Sequence, residues 1–501
     1  MAYDNLSDFI AELQDDGELA RIAVEVDPML EIAAITDRVC KSPGGGPALM
    51  FENVKGSYLP VVSNLLGSER RMCKALKANS FDEVAERMVN LIKPDLPDGW
   101  IDSLKLVPQF AQLTRLPPKT VTSGVCQQVV KMGLDVNLTE LPIPQSWPAD
   151  GGPTITRGQI YTRNSAVGES NAGKQVHCVE TVALQVRDRD ALFVHWNEHH
   201  HGYNNFRAYQ QRQTQMPIAI ALGGDPLLDF AAAAPLPTNT DGCLFAGFLR
   251  GNNVDMVRCR NIDLEVPAHA EIIIEGYIDT AAALESAAPI GTSTGYYGPT
   301  EQLATIRVTA ITHRANPVFP VLVCGRPPTE EFWLNRATER IFLPLVKLFI
   351  PELVDLHMPR AGGFRNLLFA SIRKTYPQQA RKVMHAIWSL QRLMVAKMVV
   401  IVDEDVDVQN EESVWHHVGA NTHPGRDTFV SDGPADMLDH AAPVRGMGRK
   451  LGIDATRKLP AEGHPREWPD ALEISPEIAN LINGRWAEYG IAHEYDPSPV
   501  A

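Results

Sequence analysis

Nothing in the 501 residues approaches an uncharged apolar run of the roughly 18 positions that a membrane-spanning helix requires. The opening residues, M-A-Y-D-N-L-S-D-F, also lack the basic start and apolar stretch of a secretory leader. Cysteine is sparse. The seven present, at 40, 73, 126, 178, 243, 259 and 324, include no C-x-x-C pair, which argues against a disulfide framework or a structural zinc knuckle. Reduced thiols in a soluble, cytoplasmic protein are the expectation. Positive charge is short as well, with 46 Lys+Arg against 61 Asp+Glu and a net charge of -15. That balance argues against nucleic acid as a partner, while leaving room for a local pocket around one small phosphate. No membrane partner is expected either.

What is present is ordinary globular material, 44% hydrophobic and 21% charged, long enough for two to four domains. An N-terminal α/β region starts with a helix capped by Ser7, followed by a second helix over 29–39, strands near 48–51 and 60–63, and a helix over 81–92. From 106 to 153 prolines cluster, as in a segment wrapping a surface. Residues 154–325 then carry mostly short β-prone runs with one helical interruption at 205–215, a pattern that points to a barrel or curled sheet. After Arg326 helix and strand alternate again. The acidic run D-E-D-V-D after the strand near 398–402 suits a solvated loop better than a site, and the helix over 475–489 could pack on a partner subunit.

The densest chemistry lies in F-V-H-W-N-E-H-H-H-G-Y-N-N, residues 193–205. Four of the fifteen histidines fall there, at 195, 199, 200 and 201, beside Trp196 and Glu198. Neutral imidazole binds divalent metals, and it titrates close enough to neutrality to move protons. A solvated turn with local hydrogen bonds is the competing reading. A second stretch, D-G-G-P-T-I-T-R-G at 150–158, is a tight turn entering a strand, where backbone amides can approach a ligand.

Several segments together resemble the UbiD family of prenylated-flavin-dependent decarboxylases. They are D-G-G-P-T-I-T-R-G, M-P-I-A-I-A-L-G-G-D-P (216–226), D-L-E-V-P-A-H-A-E-I-I-I-E-G-Y-I (263–278), T-G-Y-Y (294–297) and G-R-K-L-G-I-D-A-T (448–456). Each alone is weak; in this order and spacing the set is specific. The resemblance implies a multi-domain α/β protein: an N-terminal α/β domain (1–115), a central split β-barrel of the flavin-reductase type holding the cofactor (116–325), and a C-terminal α/β domain (326–501) with a dimerising C-terminal helix. It further implies prenylated FMN bound through a divalent metal, usually manganese, with potassium nearby. A homodimer or higher homo-oligomer, a small aromatic acid as substrate and a flavin prenyltransferase as cofactor supplier complete the expectation.

Carried over by position, the metal ligands map to Cys178, His199 and Asp241. Cys178 stands in an asparagine's place, a soft donor that shifts preference from manganese towards zinc or iron, and His177 could serve if the register moves by one. The resemblance places cofactor contacts at Thr156, Thr181, Val182, Ala183, His195, Trp196, Asn197, His200, His201 and Pro235, with Arg392 and Lys397 as candidates for the phosphate.

The family's Glu-Arg-Glu (or Asp) network is missing. Its arginine belongs within T-V-A at 181–183, Thr292 stands in the proton donor's place, and Glu285 is the one nearby carboxylate. Carbon dioxide loss still requires an electron sink and then a proton donor. A decarboxylase or carboxylase of an electron-rich aromatic or heteroaromatic acid is the first expectation, with Glu285 or one of the histidines moving the proton. A flavin-binding homologue with altered chemistry, a subunit of a multi-component carboxylase, and a noncatalytic homologue are the alternatives.

Overall fold

The computed structural model describes residues 3–92, 116–163, 176–237, 240–390, 392–470, 472 and 474–490. The start of the proline-rich stretch, 106–115, and the domain boundary expected there lie outside the described residues. The chain forms two compact units, Met1–Leu345 and Val346–Ala501.

The first unit opens with the helix Leu6–Asp15, whose cap is Asn5, its side chain accepting from the Asp8 N–H, while Ser7 already lies inside the first turn. Leu6, Phe9, Ile10 and Leu13 recur at spacings of three and four, so one stripe is buried. A four-stranded sheet follows in the order Leu19–Val26, Ala48–Val54, Val61–Ser63, Phe319–Val321. Its last strand arrives from far along the chain, which ties the N-terminal region to the segment after the central sheet.

The central sheet has ten strands. Its continuous path runs Thr154–Ile155, Leu184–Asp188, Ala191–Val194, Glu301–His313, Ile272–Ile278, Met216–Leu222, Gln159–Thr162, Cys178–Thr181. Val129–Met132 and Glu285–Ala287 also pair with the long strand Glu301–His313. The sheet is curled, and Met216–Leu222, buried at every position, lies in the middle of it. Alternation along the strands sorts the side chains. Leu184, Leu192, Val194, Ala304, Ile306 and Val308 enter the large apolar core. Gln185, Arg187, Phe193, Leu303 and Thr305 are the alternate residues and take the opposite face.

Two helices in this region were not anticipated, Pro226–Ala233 and Gly242–Arg250. The first is buried from Pro226 through Ala232, so it carries no amphipathic period to detect. Its start was nonetheless encoded, with Asp225 as cap and proline at the first helical position. The expected helix over 205–215 is His201–Arg212, entered four residues earlier.

In the second unit a five-stranded sheet runs Leu353–His357, Leu367–Ile372, Met398–Asp403, Met447–Asp454, Thr428–Pro434. Its three inner strands are parallel and both edges antiparallel. The helix Pro476–Arg485 is capped by Ser475 and buries none of its residues, leaving Ile478 and Leu481 exposed.

Candidate functional site

The imidazole-rich turn does not gather its rings at one point. His199 is exposed and its N–H donates to Asn197 Oδ1 at 3.0 Å. His200 Nδ1 accepts from the Asn197 N–H, and His201 Nε2 faces the Leu236 carbonyl at 3.2 Å. Trp196 is buried against Phe206. The turn is anchored from below by Glu180, whose carboxylate accepts the His201 and Gly202 N–H groups and so satisfies the first turn of the His201–Arg212 helix. Burial pushes Glu180 up to about 7, against those two hydrogen bonds. Gly202 is required here, because a Cβ would come within 2.3 Å of Glu180 Oε1.

Among the described residues, the ligand atoms that converge are those of His177, Asp241 and Cys243, all within 4.8 Å of one another. Asp241 belongs to the expected metal set; Cys178 and His199 are not in this group. Asp241 is also the cap of Gly242–Arg250, its Oδ1 accepting from the Cys243 and Leu244 N–H groups and its Oδ2 from the backbone and ring of His177. Both oxygens are therefore already engaged. Imidazole, thiol and a committed carboxylate form a soft, acceptor-poor set, which does not fit manganese.

His177 instead sits between two carboxylates, 2.9 Å from Asp241 and 3.5 Å from Glu265. Burial opposes its charge, but Asp241 and Glu265 outweigh it and raise the imidazole to about 9. A folded value above the unfolded one, about 6.5, contributes stability that is complete below that pH and fades as pH rises through 9. Denaturant titrations are accordingly expected to lose on the order of 3 kcal/mol between about pH 6 and pH 10 through this group, a loss absent in His177→Gln.

The outer face of the central sheet gathers a different set. His195, just past the Ala191–Val194 strand, has Nδ1 3.0 Å from Glu301 Oε2 and Nε2 3.2 Å from Gln185 Oε1. Two residues further along the Leu184–Asp188 strand, Arg187 Nη2 lies 2.9 Å from Glu285 Oε2. Glu285 Oε1 also accepts from Thr305 Oγ1 at 3.1 Å. Between these pairs Phe193, Leu303 and Ala287 form a small apolar cluster.

The segment that carries Glu285 is pinned over this face. The Gly151 N–H donates to the Pro289 carbonyl at 2.8 Å, and the Gly291 N–H to Asp150 Oδ1 at 2.7 Å. Asp150 in turn accepts from the Ser146 and Trp147 N–H groups. The D-G-G-P turn thus works as a clamp for the segment expected to hold the acid. Polar groups at the rim of an apolar patch are a donor set that fits a planar, polar-edged ring of flavin type.

The remaining candidates scatter. Thr156 Oγ1 donates to the Leu322 carbonyl, Val182 is in the core, and Thr181 ends the strand that pairs with Gln159–Thr162. The Ala183 carbonyl accepts from the His195 N–H, and Asn197 Oδ1 serves the turn. Pro235 is half-buried after the helix Pro226–Ala233, and burial pushes the Cys178 thiol up to about 12. Thr292 Oγ1 is held within its own turn by Thr294 and the Tyr296 carbonyl. Arg392 and Lys397 belong to the second unit, where Lys397 pairs with Asp439 at 2.7 Å. Gln185, Arg187 and Glu301 were not anticipated. The signal that could have found them is period-two alternation from Ala183.

Three family descriptions match the chain. The 3-octaprenyl-4-hydroxybenzoate carboxy-lyase N-terminal domain matches residues 10–88, the Rift-related domain 119–327 and the C-terminal domain 332–455. An uncharacterized protein of Aquifex aeolicus is 42% identical over 489 residues, covering 98% of this chain and 99% of that protein. The structure of Sedimentibacter hydroxybenzoicus vanillic acid decarboxylase in its closed form is similar with a TM-score of 0.85 and 28% identity, covering 98% of this chain and all of that one. HmfF, a UbiD-class enzyme from Pelotomaculum thermopropionicum solved with FMN, matches at 0.77 and 27%, covering 97% of this chain and all of that one. An evolved dimeric form of HmfF in complex with prFMN matches at 0.75 and 26%, with the same coverage.

Proposed function

This chain belongs to the UbiD family of carboxy-lyases, and on that premise we propose that it is a reversible, prenylated-FMN-dependent decarboxylase of an aromatic or heteroaromatic carboxylic acid. The observation that carries the reading is the Arg187–Glu285 pair on the sheet face that also carries His195. A carboxylate, an arginine and an imidazole share one face of the sheet where the family's usual network is absent.

When bound, a prenylated flavin supplies the electron sink that loss of carbon dioxide requires. The chain's own residues do the rest. Phe193 and Leu303 present an apolar wall that keeps water from the reacting carbon, His195 and Gln185 orient a ring by its polar edge, and Glu285 holds the proton that replaces carbon dioxide. No step is assigned to manganese or potassium, because the His177, Asp241 and Cys243 donors do not suit the first and no residue is assigned to the second. The reading extends to the division at residues 115 and 325, a split-barrel cofactor domain, a homodimer made through the C-terminal helix, a flavin prenyltransferase as supplier, and the cytoplasm as compartment.

Co-expression with a flavin prenyltransferase is expected to yield protein with the absorbance and mass of the prenylated cofactor, which then releases carbon dioxide from at least one acid in a panel of hydroxylated benzoates and heteroaromatic acids. Cofactor binding without release from any acid points to altered chemistry. Absence of the cofactor as well removes the enzymatic reading altogether.

A further inference from the structure

We propose that this chain holds its flavin without a divalent cation, because Asp241, the carboxylate among the expected ligands, serves instead as a clamp between a strand and a helix. This rests on the decarboxylase reading above and concerns how its cofactor is held. A carboxylate offers about four lone-pair sites on its two oxygens. The protein's own N–H groups take all of them. Asp241 Oδ1 accepts from the Cys243 N–H at 2.8 Å and the Leu244 N–H at 3.0 Å. Its Oδ2 accepts from the His177 N–H at 3.0 Å and faces the His177 ring Nδ1 at 2.9 Å.

The clamp is reciprocal. The Gly242 N–H donates to the His177 carbonyl at 3.0 Å, so the entry to the strand Cys178–Thr181 and the first turn of the helix Gly242–Arg250 are laced together in both directions. An ion on Asp241 would take the carboxylate away from helix N–H groups that have no other partner within the helix, and would set a positive charge against the positive end of its dipole.

The neighbouring donors are spent in the same way. His177 is buried with its ring between Asp241 and Glu265, and the other oxygen of Glu265 accepts from Thr120 Oγ1 at 3.0 Å. Cys243 is fully buried beside the Tyr161 phenol. A carboxylate cannot be supplied from the next position either, because a Cβ on Gly242 would come within 2.9 Å of Val179 Cβ. The convergence of His177, Asp241 and Cys243 within 4.8 Å is therefore that of a hydrogen-bonded junction, closed by its own donors.

The test uses the full chain with Mn2+, Zn2+ and FMN as separate probes. Mn2+ added to the protein alone is expected to keep the paramagnetic resonance spectrum of the free aqueous ion, with any binding weaker than about 1 mM. FMN affinity, measured by calorimetry, is expected to be equal in EDTA and in added Mn2+ or Zn2+, whereas an ion shared with the flavin would change that affinity by about 5-fold or more. The thermal midpoint of wild type is expected to be indifferent to EDTA, while Asp241→Ala lowers it with or without the chelator through loss of the cap. Capture of one Mn2+ or Zn2+ per chain that Asp241→Ala abolishes overturns the proposal. So does a loss of FMN affinity in EDTA of about 5-fold or more, a comparison made on wild type and independent of how the variant folds. Failure of FMN to bind under any of these conditions counts against the cofactor reading instead, and the ion measurements on the protein alone are read separately from it.

Discussion

Glutamine in place of Glu285 is expected to slow carbon dioxide release by about 10²- to 10⁴-fold, the usual contribution of a positioned general acid, with a much smaller change in KM. The substitution keeps the side chain's length and an oxygen for the Thr305 hydroxyl, but it removes the proton. The signature beyond rate is isotopic: in deuterium oxide the wild-type product should carry deuterium at the vacated carbon, whereas the variant should show exchange slowed in step with turnover. Thr292→Val serves as the comparison, because that hydroxyl is bonded within its own turn and its loss should leave turnover nearly unchanged. Undiminished turnover in Glu285→Gln removes this residue and leaves His195 with Glu301 to carry the proton.

The sequence made the coarse organisation legible where local signals were periodic. Leu6, Phe9, Ile10 and Leu13 announce their helix, and most of the short β-prone runs of the middle region form one curled sheet, while Asp255–Arg258 and Glu265–Pro267 belong to a separate three-stranded sheet and Phe319–Val321 joins the N-terminal one. Reading failed where burial erased the pattern. Pro226–Ala233 is buried on nearly every side, Asp229 included, and so shows no amphipathic period, although Asp225-Pro226 is a proper helix start. The long strand Glu301–His313 pairs with four others, and no local pattern can say which, because pairing partners are set by the whole sheet.

The site was legible as a set of residue types and less so as an arrangement. Four histidines close in sequence suggested convergence, yet a turn into a helix sends successive side chains in different directions, so His195, His199, His200 and His201 meet different neighbours. Asp241 was singled out as a ligand for the run that follows it; the same aspartate caps the helix that this run forms. His177, next to the expected Cys178, shares Asp241 with that cap, a contact spanning 64 positions that spacing cannot reveal. Glu285 and His195 lie on one face because strands alternate, and Arg187 joins them for the same reason.

Arg157 in the D-G-G-P-T-I-T-R-G turn is expected to matter more for stability than any exposed residue of the site. It is buried, with Nε 2.8 Å from Asp229 Oδ2 and Nη1 bonded to Glu330, while Asp229 also accepts from Gln159 and Glu330 from the Leu66 N–H at 2.7 Å. Arg157→Met removes the cation that bridges two buried carboxylates and is expected to cost about 3–5 kcal/mol, the range for breaking a buried pair from one side. The sign with pH follows from what remains. Uncompensated buried carboxylates are held above their unfolded values, so the variant's folded state gains protons as pH falls. Its deficit should therefore be largest near neutrality and shrink towards pH 5. Replacing all three charges together, with Asp229→Leu and Glu330→Leu added, should recover only part of the loss: apolar groups need no counter-charge, but the Gln159 amide and the Leu66 N–H lose their acceptors. Denaturant titrations at pH 7 and pH 5 distinguish this from simple cavity formation, which would cost the same at both. Arg157 directly follows the strand and loop that lead from the Asp150 clamp, so where the variant remains folded, any weakening of turnover should appear through mispositioning of the 285–291 segment rather than through the chemistry itself.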